Sequence, residues 1–470
     1  MAGKTMFDRE TRPASEKLRF DDFNDMPPLT GMKRKEKELV VGMINVWYEF
    51  VPESYDGSEE VPLVVQCHGG GQDGLRWAEK NIWHEIAQEK NLIVVFPNSP
   101  RPGAWHCDDL DIQFLCDLIQ HLESVYRIDK SRIYMQGMSN GDMMTLSFTM
   151  EHPEILAGAA YTSGPTIREM LRKEHASGPL PVLQERGELD LNFMLEPGTE
   201  DVYEKRYNMN DENRAIWEEV NETAEVLPKL SIQGKNNILY YEGKKAPLIA
   251  WEIHGMGHRE PASSAQMYWD YLYSGCRNVD GEHLWADPVK KIEGDEDTWI
   301  LALGSNKAYH KDGMIPLTDL PQGVVRVFEP REQDKKPLDL HEMAQQDTYY
   351  APVECLAGLF GADASFSDDG QEAEIKLQDG RIVKLWKHRC LVSVDGEYTE
   401  LQHPCFLRYG VLYFPVEEFC RLILGKQVTT AHDVICISDH YALLGKYTAR
   451  ILCRILGGKM RPHERIPWND

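Results

Sequence analysis

Short apolar runs alternate with longer, periodically apolar segments from about residue 38 onward. The runs LVVQC, NLIVVFP and RIYMQG, at residues 63–67, 91–97 and 132–137, are rich in apolar and β-branched residues, which is typical of buried strands in a mostly parallel sheet. The segments between them, KNIWHEIAQEK and DIQFLCDLIQHLESVYRI, repeat apolar residues at helical spacing, as crossover helices do. The pattern therefore predicts an α/β domain with a doubly wound sheet.

The same alternation continues to about residue 277. PVLQERG at residues 181–187 and APLIAWEIHG at residues 246–255 have the pattern of strands, whereas NRAIWEEVNETAEVL and SSAQMYWDYLYSG have the period of helices. Residues 1–36 are polar and rich in proline and charge. We therefore expect an extended N-terminal arm at residues 1–36, followed by the α/β domain at residues 37–277.

From residue 278 the chain changes to short strands joined by Asp-Gly and Gly-Lys turns, and a loose internal repeat is visible. WILALGSNKAYHKDGMIPL, at residues 299–317, parallels IVKLWKHRCLVSVDGEYTEL, at residues 382–401. Each copy is followed by a strand that leads into a short helix and a closing strand. The repeat predicts a separate, smaller α+β accessory domain at residues 278–470, made of two copies.

The composition of the chain disfavours some classes of binding partner. Its 51 basic and 76 acidic residues give a net charge of -25, which disfavours nucleic acid and anionic membrane surfaces. No run approaches the roughly 18 apolar residues of a membrane-spanning helix, and the N-terminal residues have no apolar core of the signal-peptide type. As written, the chain is expected in the cytoplasm, or outside the cell if a signal has been removed. The compartment and the oligomeric state stay open.

The ten cysteines are scattered without a C-x-x-C pair, and several lie in apolar runs. This distribution favours buried free thiols over a disulfide framework or a zinc site.

The first candidate catalytic residue is a glycine-flanked serine. Gly137-Met138-Ser139-Asn140-Gly141 follows a predicted strand and precedes a predicted helix, and a sharp strand-to-helix turn of this kind exposes a nucleophilic serine. The alternative is a serine in an ordinary tight turn. The placement between strand and helix favours the nucleophile.

Two backbone amides are candidates for stabilising an oxyanion. The amide of Asn140 opens the helix after the serine, and the loop HGGG at residues 68–71 follows an earlier strand. Glycines allow the backbone to approach a bound carbonyl closely. We therefore expect the N–H groups of Gly70 and Asn140 to form the oxyanion hole, and His68 to brace the loop.

An acid and a base are expected at the ends of two later strands. PVLQERGELD places Asp190 after one of them, with Glu188 as the nearby alternative, and WEIHGMGHREP offers His254 and His258 after the other. We favour His258, because it lies beyond two glycines in a loop that can reach Ser139. The same glycines argue against a zinc-binding helix, so neither a metal nor a cofactor is expected. The order Ser139, Asp190, His258 is that of α/β-hydrolases.

These residues also carry a resemblance. HGGGQ, the segment from DDLDIQFLC to QGMSNG, the G-x-x-D that ends at Asp190 and the GMGH that ends at His258 resemble the polyhydroxybutyrate depolymerase and feruloyl or acetylxylan esterase group of α/β-hydrolases, over residues 38–275. The resemblance implies a carboxylic ester hydrolase with catalytic Ser139, Asp190 and His258. One departure is Asp142, where the family usually has a small residue.

The substrate-facing residues are less determined by the sequence. Asp142 would bind a substrate hydroxyl or raise the pKa of His258, and Trp105, in a loop after a strand, would line the substrate pocket or form part of the core. The segment between Asp190 and His258 would form a partial lid or a plain packing helix.

The C-terminal repeats resemble the domain named for the copper amine oxidase N-terminus, through VSVDGEYTEL and LYFPVEEFCRLILG. The resemblance implies a stalk or surface module that binds polysaccharide or packs on the hydrolase. The repeats contain no histidine cluster with metal-ligand spacing.

The leading hypothesis is a serine esterase that forms an acyl-enzyme on a small or polymeric ester. The alternatives are a serine peptidase on the same scaffold and a non-catalytic polysaccharide-binding protein.

Overall fold

A computed structural model describes residues 29–164, 175–190, 212–223, 225–318, 323–328 and 347–458. The chain divides into two compact units, one formed by residues 1–229 and 238–293 and the other by residues 230–237 and 294–470. Most of the predicted N-terminal arm, residues 1–28, lies outside the described residues. The end of the arm differs from the prediction, because Lys33–Glu38 is a strand. Its sequence, KRKEKE, has no apolar position that would indicate pairing.

Ten strands between residues 33 and 253 form one sheet. In chain order they are β1 Lys33–Glu38, β2 Ile44–Phe50, β3 Val61–Cys67, β4 Ile93–Pro97, β5 Ile128–Met138, β6 Gly158–Thr162, β7 Val182–Gly187, β8 Lys229–Gln233, β9 Asn236–Tyr241 and β10 Leu248–Ile253. Their order across the sheet is β1-β2-β4-β3-β5-β6-β7-β10-β9-β8. The six strands from β4 to β10 in this order run parallel. Strand β2 pairs antiparallel with β4, and β1 pairs antiparallel with β2.

Helices alternate with these strands along the chain. They are α1 Gly74–Ala78, α2 Trp83–Lys90, α3 Asp109–Val125, α4 Asn140–Glu151, α5 at residues 212–220 and α6 Ser264–Tyr271, with short 3-10 turns at Pro153–Ile155 and Tyr273–Gly275. Helix α2 packs near α6, and α3 packs near α4. The strands between them are buried, which accounts for their continuous apolar runs. The predicted α/β-hydrolase fold, with a mostly parallel sheet, is confirmed.

The first unit extends further along the chain than the predicted boundary at residue 277. A hairpin of β11 Cys276–Val279 and β12 Glu282–Trp285 belongs to it. The Asn278 side-chain amide donates to the carbonyl of Leu156 at 3.0 Å, and the Tyr134 hydroxyl donates to the carbonyl of Cys276 at 3.0 Å. The hairpin is short and polar, so the change in sequence pattern precedes the structural boundary.

The described part of the second unit contains three antiparallel sheets. Its strands are β13 Thr298–Ala302, β14 Lys307–His310, β15 Gly313–Pro316, β16 Val325–Phe328, β17 Asp347–Pro352, β18 Asp363–Phe366, β19 Glu372–Lys376, β20 Ile382–Trp386, β21 Leu391–Val394, β22 Glu397–Glu400, β23 Phe406–Arg408, β24 Val411–Pro415, β25 Gln427–Ala431 and β26 Val434–Ser438. Its helices are α7 Val353–Leu359, α8 Val416–Glu418, which continues as a π-helical turn at Phe419–Ile423, and α9 Lys446–Ile455.

The two predicted repeats are visible in the element order of this unit. The first copy is β13 to β17, α7, β18 and β19, and the second is β20 to β24, α8, β25 and β26. The copies exchange their last two strands: β25 and β26 join β13 to β15 in one five-stranded sheet, and β18 and β19 join β20 to β22 in the other. The middle sheet, β16-β17-β24-β23, takes two strands from each copy. The predicted α+β module of two repeats is therefore present.

None of the ten cysteines, all of which lie within the described residues, is in a disulfide, and eight of them are buried. Across the described ranges, no helix is long and apolar enough to cross a membrane.

Candidate active site

The glycine-flanked serine forms a sharp turn between β5 and α4. Ser139 has φ 58° and ψ -115°. This positive-φ conformation is unfavourable for a residue with a side chain, and strained backbone of this kind is concentrated at active sites. A Cβ on Gly137 would lie 2.0 Å from the carbonyl oxygen of Gly141, and a Cβ on Gly141 would lie 2.1 Å from that of Cys67. Both glycines are therefore required by close backbone contacts, as the sequence indicated.

His258 connects Ser139 to Asp190. Its Nε2 lies 3.0 Å from the Ser139 hydroxyl oxygen, and its Nδ1 lies 3.0 Å from Asp190 Oδ1. The Asp190 carboxylate is buried, whereas a quarter of the His258 side chain is exposed, at 26%. The imidazole can thus accept a proton from the serine while the carboxylate holds its other nitrogen.

Two loops that follow strands β7 and β10 hold this acid and base together. The amide of Glu188 donates to the carbonyl of Ile253 at 3.0 Å, and the amide of Leu189 donates to that of Met256 at 2.7 Å. A Cβ on Gly187 would lie 2.4 Å from the Met256 carbonyl oxygen. The acid loop and the base loop are therefore in direct backbone contact, and glycine is needed at residue 187.

The alternative acid and base form a neighbouring pair of their own. Glu188 Oε2 accepts the Gly255 amide at 2.9 Å and lies 3.1 Å from His254 Nδ1. The structure therefore brings Asp190 and His258, and not Glu188 and His254, to the serine hydroxyl.

The loop at residues 68–71 lies against the serine turn. A Cβ on Gly69 would be 3.6 Å from the Cβ of Ser139, and one on Gly70 would be 3.7 Å from that of Asn140. Among the described residues, neither the Gly70 amide nor the Asn140 amide donates a hydrogen bond to a protein acceptor. Both amides are available for an oxyanion, and this role stays a prediction.

His68 braces this loop. Its Nδ1 lies 2.8 Å from the carbonyl of Gly69, and its Nε2 accepts the Ser99 amide at 3.1 Å. Because Nε2 accepts, the ring is neutral and carries its proton on Nδ1. Burial lowers the pKa of His68, which favours this neutral form.

Trp105 belongs to the core and does not line a pocket. The residue is 2% exposed, and its indole N–H donates to the carbonyl of His68 at 3.1 Å. Its backbone pairs with the side chain of Asn140, through N–H to Oδ1 at 2.7 Å and carbonyl to Nδ2 at 2.9 Å. The substrate-binding prediction for Trp105 is therefore wrong, and the ring supports the glycine loop instead.

Asp142 is likewise enclosed. Its carboxylate is 1% exposed and accepts from the Arg186 guanidinium at 2.9 Å and from the Gly164 amide at 2.7 Å. A buried carboxylate paired in this way cannot bind a substrate hydroxyl. The substrate-binding prediction for Asp142 is therefore wrong, and its charge is balanced by Arg186.

Arg186 and Thr162 are contributors that the sequence reasoning missed. Arg186 is 3% exposed in β7, and the carbonyl of Thr162 accepts the Ser139 amide at 2.8 Å. An arginine in the predicted strand PVLQERG was a signal, since a buried charge requires a partner. Thr162 had no comparable signal.

The segment between Asp190 and His258, expected to form a partial lid or a packing helix, lies only partly within the described residues. Residues 191–211 lie outside the described residues, whereas residues 212–220 form helix α5. In this helix Trp217 is fully buried, and its ring stacks on Tyr161 with centroids 6.0 Å apart. The described part is thus a packing helix.

No group of three or more histidine, cysteine, aspartate or glutamate side chains in the described part of the chain could hold a metal ion. The geometry of the site is that of a serine, a histidine and a carboxylate, with free amides beside the serine.

Comparisons with known proteins identify esterases as relatives. The chain is 24% identical over 227 residues to a bifunctional acetylxylan esterase/xylanase of Neocallimastix patriciarum, covering 45% of this chain and 31% of the relative. It is 26% identical over 126 residues to feruloyl esterase B of Neurospora crassa, covering 24% of this chain and 42% of the relative. The chain thus spans less than half the length of these curated relatives. The predicted resemblance to this group of esterases is confirmed.

A solved acetyl xylan esterase from Aspergillus awamori superposes with a TM-score of 0.41 and 16% identity, covering 50% of this chain and 97% of that one. No protein-family model matches the chain. The resemblance of the second unit to the copper amine oxidase N-terminal-like domain stays a prediction.

Proposed function

We propose that this chain is a serine carboxylic ester hydrolase that acts through an acyl-enzyme. The observation that carries the proposal is the continuous contact from Ser139 Oγ through the His258 ring to Asp190, with 3.0 Å at each step. Relatives named as esterases support hydrolysis of esters rather than amides.

The reaction follows from these groups. His258 Nε2 takes the hydroxyl proton as Ser139 Oγ attacks the ester carbonyl, and Asp190 stabilises the imidazolium that forms. The carbonyl oxygen becomes an oxyanion that the amides of Gly70 and Asn140 are placed to bind. Collapse of the intermediate breaks the ester bond, and His258 gives its proton to the leaving alcohol.

Deacylation repeats the sequence with water. His258 takes a proton from water, the hydroxide attacks the acyl carbon, and the proton returns to Ser139 Oγ as the acid leaves. No step in this sequence requires a metal or an organic cofactor. The substrate is a small or polymer-linked ester with an acetyl, hydroxycinnamoyl or hydroxyalkanoate acyl group, as the related esterases suggest.

The test is an ester panel of p-nitrophenyl acetate, methyl ferulate and a 3-hydroxybutyrate ester, together with labelling by a fluorophosphonate. We expect Ser139→Ala and His258→Ala to lose at least about 10³-fold in kcat. His254→Ala is the matched control, since His254 lies against Glu188, and it should lose far less. Unchanged turnover in Ser139→Ala would refute the proposal. Cleavage of amide substrates would favour a peptidase, and retention on insoluble xylan without labelling would favour a binding protein.

A further inference from the structure

Two glutamates outside the Ser139, His258 and Asp190 contacts are buried beneath the site. Glu185 lies in β7 and is fully buried, and Glu260 is 6% exposed. Tyr268 in α6 donates its hydroxyl to Glu185 Oε2 at 2.5 Å, and Gln136 in β5 donates its amide to Glu260 Oε2 at 2.5 Å. The hydroxyl of Thr162 lies 2.6 Å from that of Tyr268. These five side chains, here called the buried acid cluster, come from three strands, a helix and the base loop.

The cluster is connected to the reacting groups through the chain. Gln136 lies three residues before Ser139 on the strand that ends at the nucleophile, and Glu260 lies two residues after His258. The hydrogen bond between Gln136 and Glu260 therefore links the nucleophile strand directly to the base loop. A change in the position of Glu260 would change the distance between the imidazole and the serine hydroxyl.

Among the described residues, the hydrogen bonds given above for the cluster join its two acids to a tyrosine, a glutamine and a threonine, none of which is a cation. Tyr268 from α6 faces Glu185. The charge of Arg186 in β7 acts on Glu185, the charge of Asp142 in α4 acts on Glu260, and Arg259 is adjacent to Glu260 in the chain. The Arg186 guanidinium is 2.9 Å from Asp142. Adjacent residues of a strand point to opposite faces of the sheet, so this ion pair lies on the face away from Glu185.

Two ionised carboxylates in such a place are unfavourable, because burial penalises each charge and the charges repel each other. The second carboxyl oxygen of both Glu185 and Glu260 is buried without a hydrogen-bond partner among the described residues. Burial raises the pKa of Glu185 to about 7. Burial and the charge of Glu185 hold the pKa of Glu260 well above its usual range.

We propose that Glu185 and Glu260 retain a proton between them in the active protein, and that the resulting neutral acid at Glu260, through Gln136, fixes the base loop against the nucleophile strand. Glu260 is then a positioning residue for His258, and Glu185 controls whether it stays neutral. The positioning role rests on the function proposed above. Loss of this proton at alkaline pH would place a second negative charge in the cluster and weaken the alignment of His258 with Ser139.

The first measurement is the pH profile of kcat and KM for p-nitrophenyl acetate, with Ser139→Ala as the blank. Glu260→Gln keeps the acceptor for Gln136 but cannot ionise. We expect kcat of the wild type to fall about tenfold per pH unit above the pH at which Glu185 and Glu260 lose their retained proton. Glu260→Gln should keep its neutral-pH kcat into the alkaline range. KM should change little in either protein. Glu89→Gln, with a 66% exposed side chain, is the matched control and should follow the wild type.

The second measurement is Tm against pH, which needs no catalysis. An acid whose folded pKa is raised destabilises the fold as pH rises from its unfolded value, 4.5, to the folded value. For Glu185 this window ends near pH 7, and for Glu260 it ends well above pH 4.5. We therefore expect Tm of the wild type to fall with rising pH more than that of Glu260→Gln.

The proposal would be overturned if the wild type and Glu260→Gln lost kcat in the same way at alkaline pH and also showed the same dependence of Tm on pH. If Glu260→Gln does not fold, both measurements are made on Glu185→Gln instead, since this substitution removes the other ionisable group of the pair. If the fluorophosphonate labelled Ser139→Ala as strongly as the wild type, the esterase function would be refuted, and the positioning role with it. The Tm comparison would then still decide whether the pair retains a proton.

Discussion

The buried ion pair between Asp142 and Arg186 gives the sharpest test of how the nucleophile helix is held. The substitution Asp142→Asn preserves the shape of the side chain and removes its charge. The Arg186 guanidinium, with only 4% of its side chain exposed, would lose its charged partner at 2.9 Å. Removing one partner of a buried pair costs about 3–5 kcal/mol, because the remaining charge stays buried and uncompensated.

This cost translates into a measurable change in unfolding. For a domain of about 150–250 residues, 1 kcal/mol shifts Tm by about 2–4 °C, so we expect Asp142→Asn to lower Tm by about 6–20 °C. Circular dichroism on heating measures this shift. The surface pair of Glu222 and Lys245, with side chains 43% and 53% exposed, provides the control. Exposed ion pairs contribute little to stability, so Glu222→Gln should leave Tm almost unchanged.

Activity distinguishes this structural role from a chemical one. The kcat of folded Asp142→Asn for p-nitrophenyl acetate should stay within about tenfold of the wild type, since the carboxylate is enclosed and does not face the substrate. The double variant with Arg186→Gln should recover part of the lost stability, because neighbouring sites are not additive. An unchanged Tm together with a loss of more than about 10²-fold in kcat would refute the reasoning. Asp142 would then act on the chemistry.

Two further substitutions test the geometry of the candidate site. Asp190→Asn should lower kcat by about 10⁴-fold with little change in KM, because an amide holds His258 in the wrong tautomer; a loss below tenfold in steady-state kinetics would contradict a triad. Gly141→Ala places a Cβ 2.1 Å from a backbone carbonyl oxygen, so the serine turn must shift, and kcat should fall by about 10². Gly358→Ala, where a Cβ would meet nothing within 4 Å, is its control, and equal activity in both variants would refute the argument.

The local parts of the site could be predicted from the sequence. Gly137 is needed for its close approach to the carbonyl of Gly141, four residues along the chain, and the predicted strands that precede Asp190 and His258 each end at or near a glycine. Each of these signals lies in a short segment. Short-range sterics and hydrophobic pattern are therefore sufficient to identify such residues.

The partners of buried polar groups could not be predicted in this way. Asp142 meets Arg186 across 44 positions, and Gln136 meets Glu260 across 124, so neither pairing leaves a local pattern. Trp105 was misassigned for the same reason, since its hydrogen-bond partner His68 comes from a loop 37 residues away. In the second unit, the sequence repeat determines the order of the strands but not the exchange of the last hairpins between sheets, which depends on long-range pairing.

Strand β7 explains why an acid is tolerated directly after the serine turn. Its alternation sends Glu185 and Arg186 to opposite faces of the sheet, so the same strand serves the buried acid cluster on one side and neutralises Asp142 on the other. Gly187 then allows the base loop to pass close to the strand, and the chain turns to present Asp190. Because these roles occupy neighbouring positions, a shift in the register of β7 would disturb the base, the nucleophile helix and the acid together. The departure at Asp142 is therefore matched by a charge in the strand that also carries the acid, and we expect the two positions to depend on each other in any variant of this site.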